Sequence, residues 1–185
     1  GGNGTALNIN DPDEPGEGDG LAAISLSTVD LPFNFQFYGQ EYQRITVCSN
    51  GFIVMEITEN GEFRNYRLPG PMGPSPMIAA FWDDLATGPQ SGIYTWFDSL
   101  NHLFIIEWHQ MLNGYDNDYA ETFQMILYDP AYYPTSLGDG PIKIQYQTYN
   151  NVDSGASNQN HGNFCTIGIE NTGQTDGLEY SFMNN

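Results

Sequence analysis

Leu31-Pro32-Phe33-Asn34-Phe35-Gln36-Phe37-Tyr38-Gly39-Gln40 is the stretch that decides the fold class. Phe33, Phe35 and Phe37 alternate with Asn34 and Gln36, so apolar side chains recur at every second residue. That is the period of a strand with one face buried and the other wet; a helix would space them three or four apart. Gly39-Gln40 closes the run as a turn, and the same grammar continues on both sides. Upstream lies Ile24 to Val29. Downstream come Tyr42 to Cys48, the hairpin signal Asn50-Gly51, whose residues tolerate positive φ, and Phe52 to Met55. A second turn follows at Glu59-Asn60-Gly61-Glu62. Leu68-Pro69-Gly70-Pro71-Met72-Gly73-Pro74-Ser75-Pro76 reads as a crossing loop, because its prolines lack donors and fix φ. Beyond it stand Met77 to Trp82, Gly92 to Phe97, His102 to Gln110, Thr122 to Tyr128, Ile142 to Tyr149, Cys165 to Glu170 and Leu178 to Phe182. About ten short strands without a helical period predict an all-β antiparallel β-sandwich of jelly-roll type.

Composition supports the same class. Aromatic residues make up 14% of the 185-residue chain, with 12 Tyr and 11 Phe, and they favour pleated, half-buried strands. Residues 1–20 combine Gly, Pro and acids with little to bury and read as a flexible acidic linker, leaving 21–185 as the sandwich domain. Asp and Glu number 23 against 4 Lys plus Arg, a formal charge of -19. So acidic a chain is a poor partner for nucleic acid or an anionic membrane, and its carboxylates suit hard cations. No apolar run approaches a membrane span, so no membrane insertion is expected, and an exported chain is expected to have lost its leader.

Candidate sites follow from residue type. Asp116, Asn117, Asp118 and Glu121 put several oxygen donors on one short turn, the kind of cage Ca²⁺ takes, although ordinary turns also gather Asn and Asp. Tyr115 and Tyr119 flank that turn. Tyr132 and Tyr133 lie in a loop, Asp129 to Gly140, that is longer than a hairpin needs. Tyrosines held exposed at such places stack on sugar rings or anchor a protein partner. Trp82, Trp96 and Trp108 lie within strands and are expected in the core. Glu107, Asp83, Asp84 and Glu170 are the carboxylates from which an acid/base pair would be drawn, but no G-x-S-x-G elbow or Cys–His signature accompanies them. No motif calls for a cofactor; Ca²⁺ is the one ion the pattern suits. Cys48 and Cys165 sit in strand-like runs, and spacing leaves open a disulfide or two buried thiols.

The order Leu31-Pro32-Phe33…Phe37-Tyr38-Gly39, Val47…Ser49-Asn50-Gly51-Phe52, Phe81-Trp82-Asp83-Asp84, Thr122-Phe123-Gln124 and Thr166-Ile167-Gly168-Ile169-Glu170-Asn171 resembles a β-sandwich module of secreted bacterial proteins, often multidomain peptidases or surface proteins. It is similar to the nidogen-like extracellular domain. The resemblance covers Leu31 to Phe182. It implies a secreted or cell-surface location, no catalysis, and an accessory or adhesion role. Cys48 and Cys165 replace small residues of that pattern as a pair, which favours a bridge between them.

Together these readings predict a non-catalytic binding module of a multidomain secreted protein. Its expected partners are a polysaccharide or an extracellular protein, besides the other domains of the same polypeptide. The alternatives are a carboxylate-based extracellular hydrolase domain and a structural spacer stabilised by Ca²⁺.

Overall fold

The computed structural model of the chain describes residues 4–12, 24–113, 119–152 and 164–184. Its strands are β1 (Thr5–Ala6), β2 (Leu26–Phe37), β3 (Gln40–Cys48), β4 (Phe52–Val54), β5 (Met77–Trp82), β6 (Gly92–Asp98), β7 (Leu103–Asn113), β8 (Tyr119–Tyr128), β9 (Ile142–Thr148), β10 (Thr166–Glu170) and β11 (Gly177–Ser181). They form a five-stranded sheet in the order β1-β6-β7-β8-β9 and a six-stranded sheet in the order β11-β10-β5-β4-β3-β2, with every pair antiparallel. The expected all-β sandwich is the fold.

Alternation builds the core. Phe104, Ile106 and Trp108 of β7 are buried while Ile105, Glu107 and His109 are half-exposed. The register extends these into inner rows, Ile93-Trp108-Phe123-Tyr146 and Thr95-Ile106-Met125-Ile144. They pack on Phe35, Phe37, Ile45, Val47, Ile53, Ile78 and Ala80 of the other sheet. Phe123 stacks between Trp108 and Phe81, at 5.1 and 5.5 Å between ring centres. Two hydrogen bonds cross the sandwich: Trp108 Nε1–H donates to the Cys48 carbonyl at 2.8 Å, and the Tyr146 hydroxyl to the Ala80 carbonyl at 2.5 Å.

The six-stranded sheet is buried on both faces at its centre. All of β5 is buried, and a second cluster of Cys48, Phe52, Val54, Leu68, Met77, Ala79 and Trp82 fills the face turned away from the sandwich. The proline-rich crossing loop covers that cluster. Leu68 enters it, and Trp82 Nε1–H donates to the Glu62 carbonyl at 2.8 Å. On the outer face of the five-stranded sheet Trp96 is exposed and Ile105 half-exposed, whereas Ile126 is buried.

Four expectations meet a different outcome. Ile24–Val29 and Phe33–Tyr38 are not two strands but one, β2, interrupted by a bulge: between Asp30 and Phe35 the partner strand supplies only Gln43. Pro32, which has no N–H to give to a ladder, sits in that bulge. Part of the stretch read as linker belongs to the sandwich, since Thr5–Ala6 pairs with β6, Leu7 and Ile9 pack on the core and Asp11 is fully buried; residues 1–3 and 13–20 lie outside the described residues. The Cys48–Cys165 bridge is corrected to two buried thiols. Cys48 lies in the cluster on the outer side of the six-stranded sheet and Cys165 in the core between the sheets, so they serve opposite faces. Finally, Trp82 and Trp108 are core residues but Trp96 is 41% exposed, because its parity on β6 points away from the core.

Candidate functional site

The two ends of the sandwich differ in chemistry. One is organised by Ser49-Asn50-Gly51, the turn between β3 and β4. Gly51 has φ +76°, and a Cβ there would stand 1.9 Å from the Phe81 carbonyl oxygen, so no other residue fits. Its own carbonyl accepts the N–H groups of Ala80 and Phe81, each at 3.0 Å. Asn50 Oδ1 accepts the Leu85 N–H at 3.0 Å. Ser49 Oγ–H donates to Asp11 Oδ2 at 2.6 Å, and Asp11 and Thr87 exchange two further bonds at 2.7 Å. A buried hydroxyl-to-carboxylate bond of this kind is worth about 1.5–3 kcal/mol. Asp83 is fully buried beside this turn, and its Oδ1 accepts the Asp84 N–H at 3.1 Å.

Glu121, expected among the metal ligands, is fully buried at the same end. Its carboxylate accepts the N–H groups of Asn150 at 2.8 Å and Asn151 at 3.1 Å, and the Asn113 amide at 3.4 Å. It therefore ties the start of β8 to the exit of β9, and a cation at Glu121 would compete with those donors. Asp116, Asn117, Asp118 and Tyr115 lie outside the described residues. Among the described residues no group of three or more His, Cys, Asp or Glu is arranged to hold a metal ion. Tyr119 is exposed beside Asn113, its partner across the β7–β8 ladder.

The opposite end is aromatic. Asp129 turns the chain after β8: its Oδ1 accepts the Ala131 N–H at 3.0 Å, and its carbonyl accepts those of Tyr132 and Tyr133 at 3.0 and 2.9 Å. Tyr132 is 61% exposed and its ring stacks on His102 at 13° between planes. Tyr133 meets Tyr128 edge-on and donates its hydroxyl to the Asn101 carbonyl at 2.9 Å. Further along the loop, Asp139 Oδ1 accepts the Gly39 N–H at 2.8 Å and the Gln36 amide at 3.1 Å, which clamps the loop to the β2–β3 turn. Leu100 and Leu137 stand 85% and 82% exposed at this end. Sequence reasoning missed His102 as the ring under Tyr132, because that contact joins segments 30 residues apart, and missed both leucines, because no local pattern marks an exposed leucine in a turn. Desolvation, with the charges of Asp176, Asp139 and Glu170, raises the Tyr38 phenol above its ordinary range, so it stays neutral beside the clamp.

The remaining carboxylates are dispersed. Glu107 is on the outer face of the five-stranded sheet; Glu170, in the six-stranded sheet, accepts the Gly70 N–H at 3.0 Å, and desolvation raises its carboxyl. Only Asp83 and Asp84, neighbours in sequence, come together. Beside the β2 bulge an open groove of about 900 Å³ is lined by Asp30, Phe33, Glu41, Arg44, Glu56 and Ile57. Its Arg44–Asp30 pair at 2.6 Å is well exposed and adds little.

A family described as NIDO related matches residues 17–185 of the chain. No solved structure matches it.

Proposed function

Because the chain belongs to the nidogen-related family, which points to an extracellular accessory domain, we propose that it is a non-catalytic binding module that attaches a larger secreted protein to its partner through the aromatic end. The partner is an extracellular protein or a polysaccharide surface. The observation that carries this reading is Tyr132, held outward on His102 in a loop clamped at both ends by Asp129 and Asp139. Rigid exposed aromatics give large contact area at small ordering cost, and a few such anchors dominate binding. Leu100 and Leu137 beside them extend the apolar surface, which favours the protein partner.

A panel of immobilised extracellular proteins and polysaccharides, scored for retention and for released product, tests the reading. Retention without product, weakened at least tenfold by Tyr132→Ala in a folded protein, is the expected result. Product release abolished by single carboxylate changes would move the domain to the hydrolase class. Retention unchanged by Tyr132→Ala would remove the end loop from the site.

The oxygen donors Asp116, Asn117 and Asp118, in the segment that joins β7 to β8, support a stabilising Ca²⁺ role on their sequence alone. Millimolar Ca²⁺ is then expected to raise Tm, and Asp116→Ala with Asp118→Ala to cancel the rise. An unchanged Tm would leave the turn to solvent.

A further inference from the structure

We propose that the outer face of the five-stranded sheet binds a neutral oligosaccharide, with sugar rings on Trp96 and hydroxyls on Glu107, Gln124 and Gln145. The register lays two rows side by side across β6, β7, β8 and β9. One is apolar until its last member, Trp96, Ile105, Ile126, Lys143, and within it Trp96 is the exposed side chain while Ile126 is buried. The other is polar after its first: Tyr94, Glu107, Gln124, Gln145. Three inter-strand steps of about 4.8 Å make each row about 14 Å long, and two residues of strand separate the rows by about 7 Å. A sugar chain has the matching anatomy, with C–H faces that seat on aromatic rings and hydroxyls at the ring edges.

The polar row is already assembled. Gln145 Nε2 donates to Gln124 Oε1 at 2.7 Å, and Gln124 Nε2 donates to Glu107 Oε2 at 2.5 Å. Each amide uses one of its two hydrogens in this ladder, so the second is left to meet a ligand hydroxyl. His109 Nδ1, in the neighbouring row opposite Gly92, lies 3.7 Å from Glu107 Oε1 and adds one more polar group beside it. Groups fixed before the ligand arrives lose little freedom on binding.

The aromatic part is also held in place. A Cβ on Gly92 would come within 2.6 Å of Tyr94 Oη and 2.8 Å of its ring carbons, so the Tyr94 ring lies over position 92 because that position is glycine. Its edge faces His109, 6.4 Å between ring centres. Solvation alone requires neither an exposed Trp96 nor a glycine kept clear for a neighbouring ring.

Charge selects the class of sugar. With 23 acids against 4 Lys plus Arg in the chain and Glu107 in the row itself, a polyanion is repelled, whereas a neutral chain offers hydroxyl donors to the carboxylate. A protein partner is disfavoured here because hydrogen-bonding groups, not a contiguous apolar centre, occupy half of the face. The inference is independent of the aromatic end, which lies in other loops.

The test is affinity electrophoresis and calorimetry of the whole domain with cello-, xylo-, manno- and laminari-hexasaccharides, with polygalacturonate as the charged control. One neutral series is expected to bind, with affinity lowered at least tenfold by Trp96→Ala, three- to tenfold by Gln124→Ala, and unchanged by Leu178→Ala, an exposed position on the other sheet. Binding of none of the neutral series, of polygalacturonate alone, or with full affinity in Trp96→Ala and Gln124→Ala overturns the proposal. Loss of sugar binding in Tyr132→Ala alone moves the sugar to the end loop and equally overturns it. Should Trp96→Ala fail to fold, wild-type fluorescence decides: Trp82 and Trp108 are fully buried, so acrylamide quenching reads Trp96. The bound hexasaccharide must protect it; unchanged quenching at saturation overturns the assignment.

Discussion

Trp108 on β7 donates its indole N–H to the main-chain carbonyl of Cys48 on β3 at 2.8 Å, so a side chain of one sheet completes the backbone bonding of the other. Both partners are fully buried. Trp108→Phe keeps most of the apolar contact with Phe123 but removes that bond, a loss of about 0.5–1.5 kcal/mol. The unfolding free energy from urea titration is expected to fall by that amount, through a lower midpoint at unchanged m-value. A midpoint equal to wild type would show that the bond adds nothing to the packing.

Two buried thiols on opposite sides of one sheet make a direct prediction. Native protein should not react with a thiol reagent at pH 8, denatured protein should titrate two thiols without reductant, and Tm should not depend on reductant. Burial raises the Cys165 thiol well above its ordinary range, and Tyr149 Oη stands 3.5 Å from its sulfur. Denatured protein that titrates only after reduction would restore the bridge.

Cys165 shares its pocket with two phenols, and all three are shifted the same way. Desolvation raises Tyr146 and Tyr149 as well, with the Cys165 charge next in each case. The folded chain therefore keeps protons that the unfolded chain releases above about pH 8.5 for the thiol and about pH 10 for the phenols. The stability is fully present below those values and is lost as pH rises beyond them. The urea midpoint should be level from pH 7 to about 8.5 and fall toward pH 11, and Tyr146→Phe should make the fall shallower. A level midpoint to pH 11, or a fall of the same slope in Tyr146→Phe, would contradict the assignment.

The pattern of the sequence carries element type further than it carries orientation. Phe33, Phe35 and Phe37 announced a strand, but nothing local told that Leu31 to Asn34 bulge opposite Gln43, since that depends on the partner's register. In Gly92-Ile93-Tyr94-Thr95-Trp96-Phe97 both parities carry apolar residues, so alternation cannot say that Trp96 faces out. For Cys48 the signal was present: Ile45 and Val47 share the core-facing parity, and Cys48 has the other. Burial of Asp11 was not legible, because Ser49, which holds it, is 38 residues away. The aromatic end was half legible. Tyr132 and Tyr133 stood out in a long loop, whereas the His102 ring and the Asp139 clamp come from non-local contacts.

That clamp gives the last prediction. Asp139 Oδ1 holds the Gly39 N–H and the Gln36 amide, and the Gln36 amide also donates to the Leu137 carbonyl at 3.0 Å. Asp139→Ala removes two bonds at the partly exposed edge of the loop, a loss of about 1 kcal/mol in global stability. The larger effect is local: a loop no longer tied to the β2–β3 turn must be ordered when the partner arrives, and that cost appears in affinity. The variant is therefore expected to fold, to be cut faster by protease between Pro130 and Gly138, and to bind the end-loop partner up to tenfold more weakly although Tyr132 is unchanged. Wild-type protease resistance together with wild-type affinity would mean that Asp129 and the His102 stack suffice to hold Tyr132 in place.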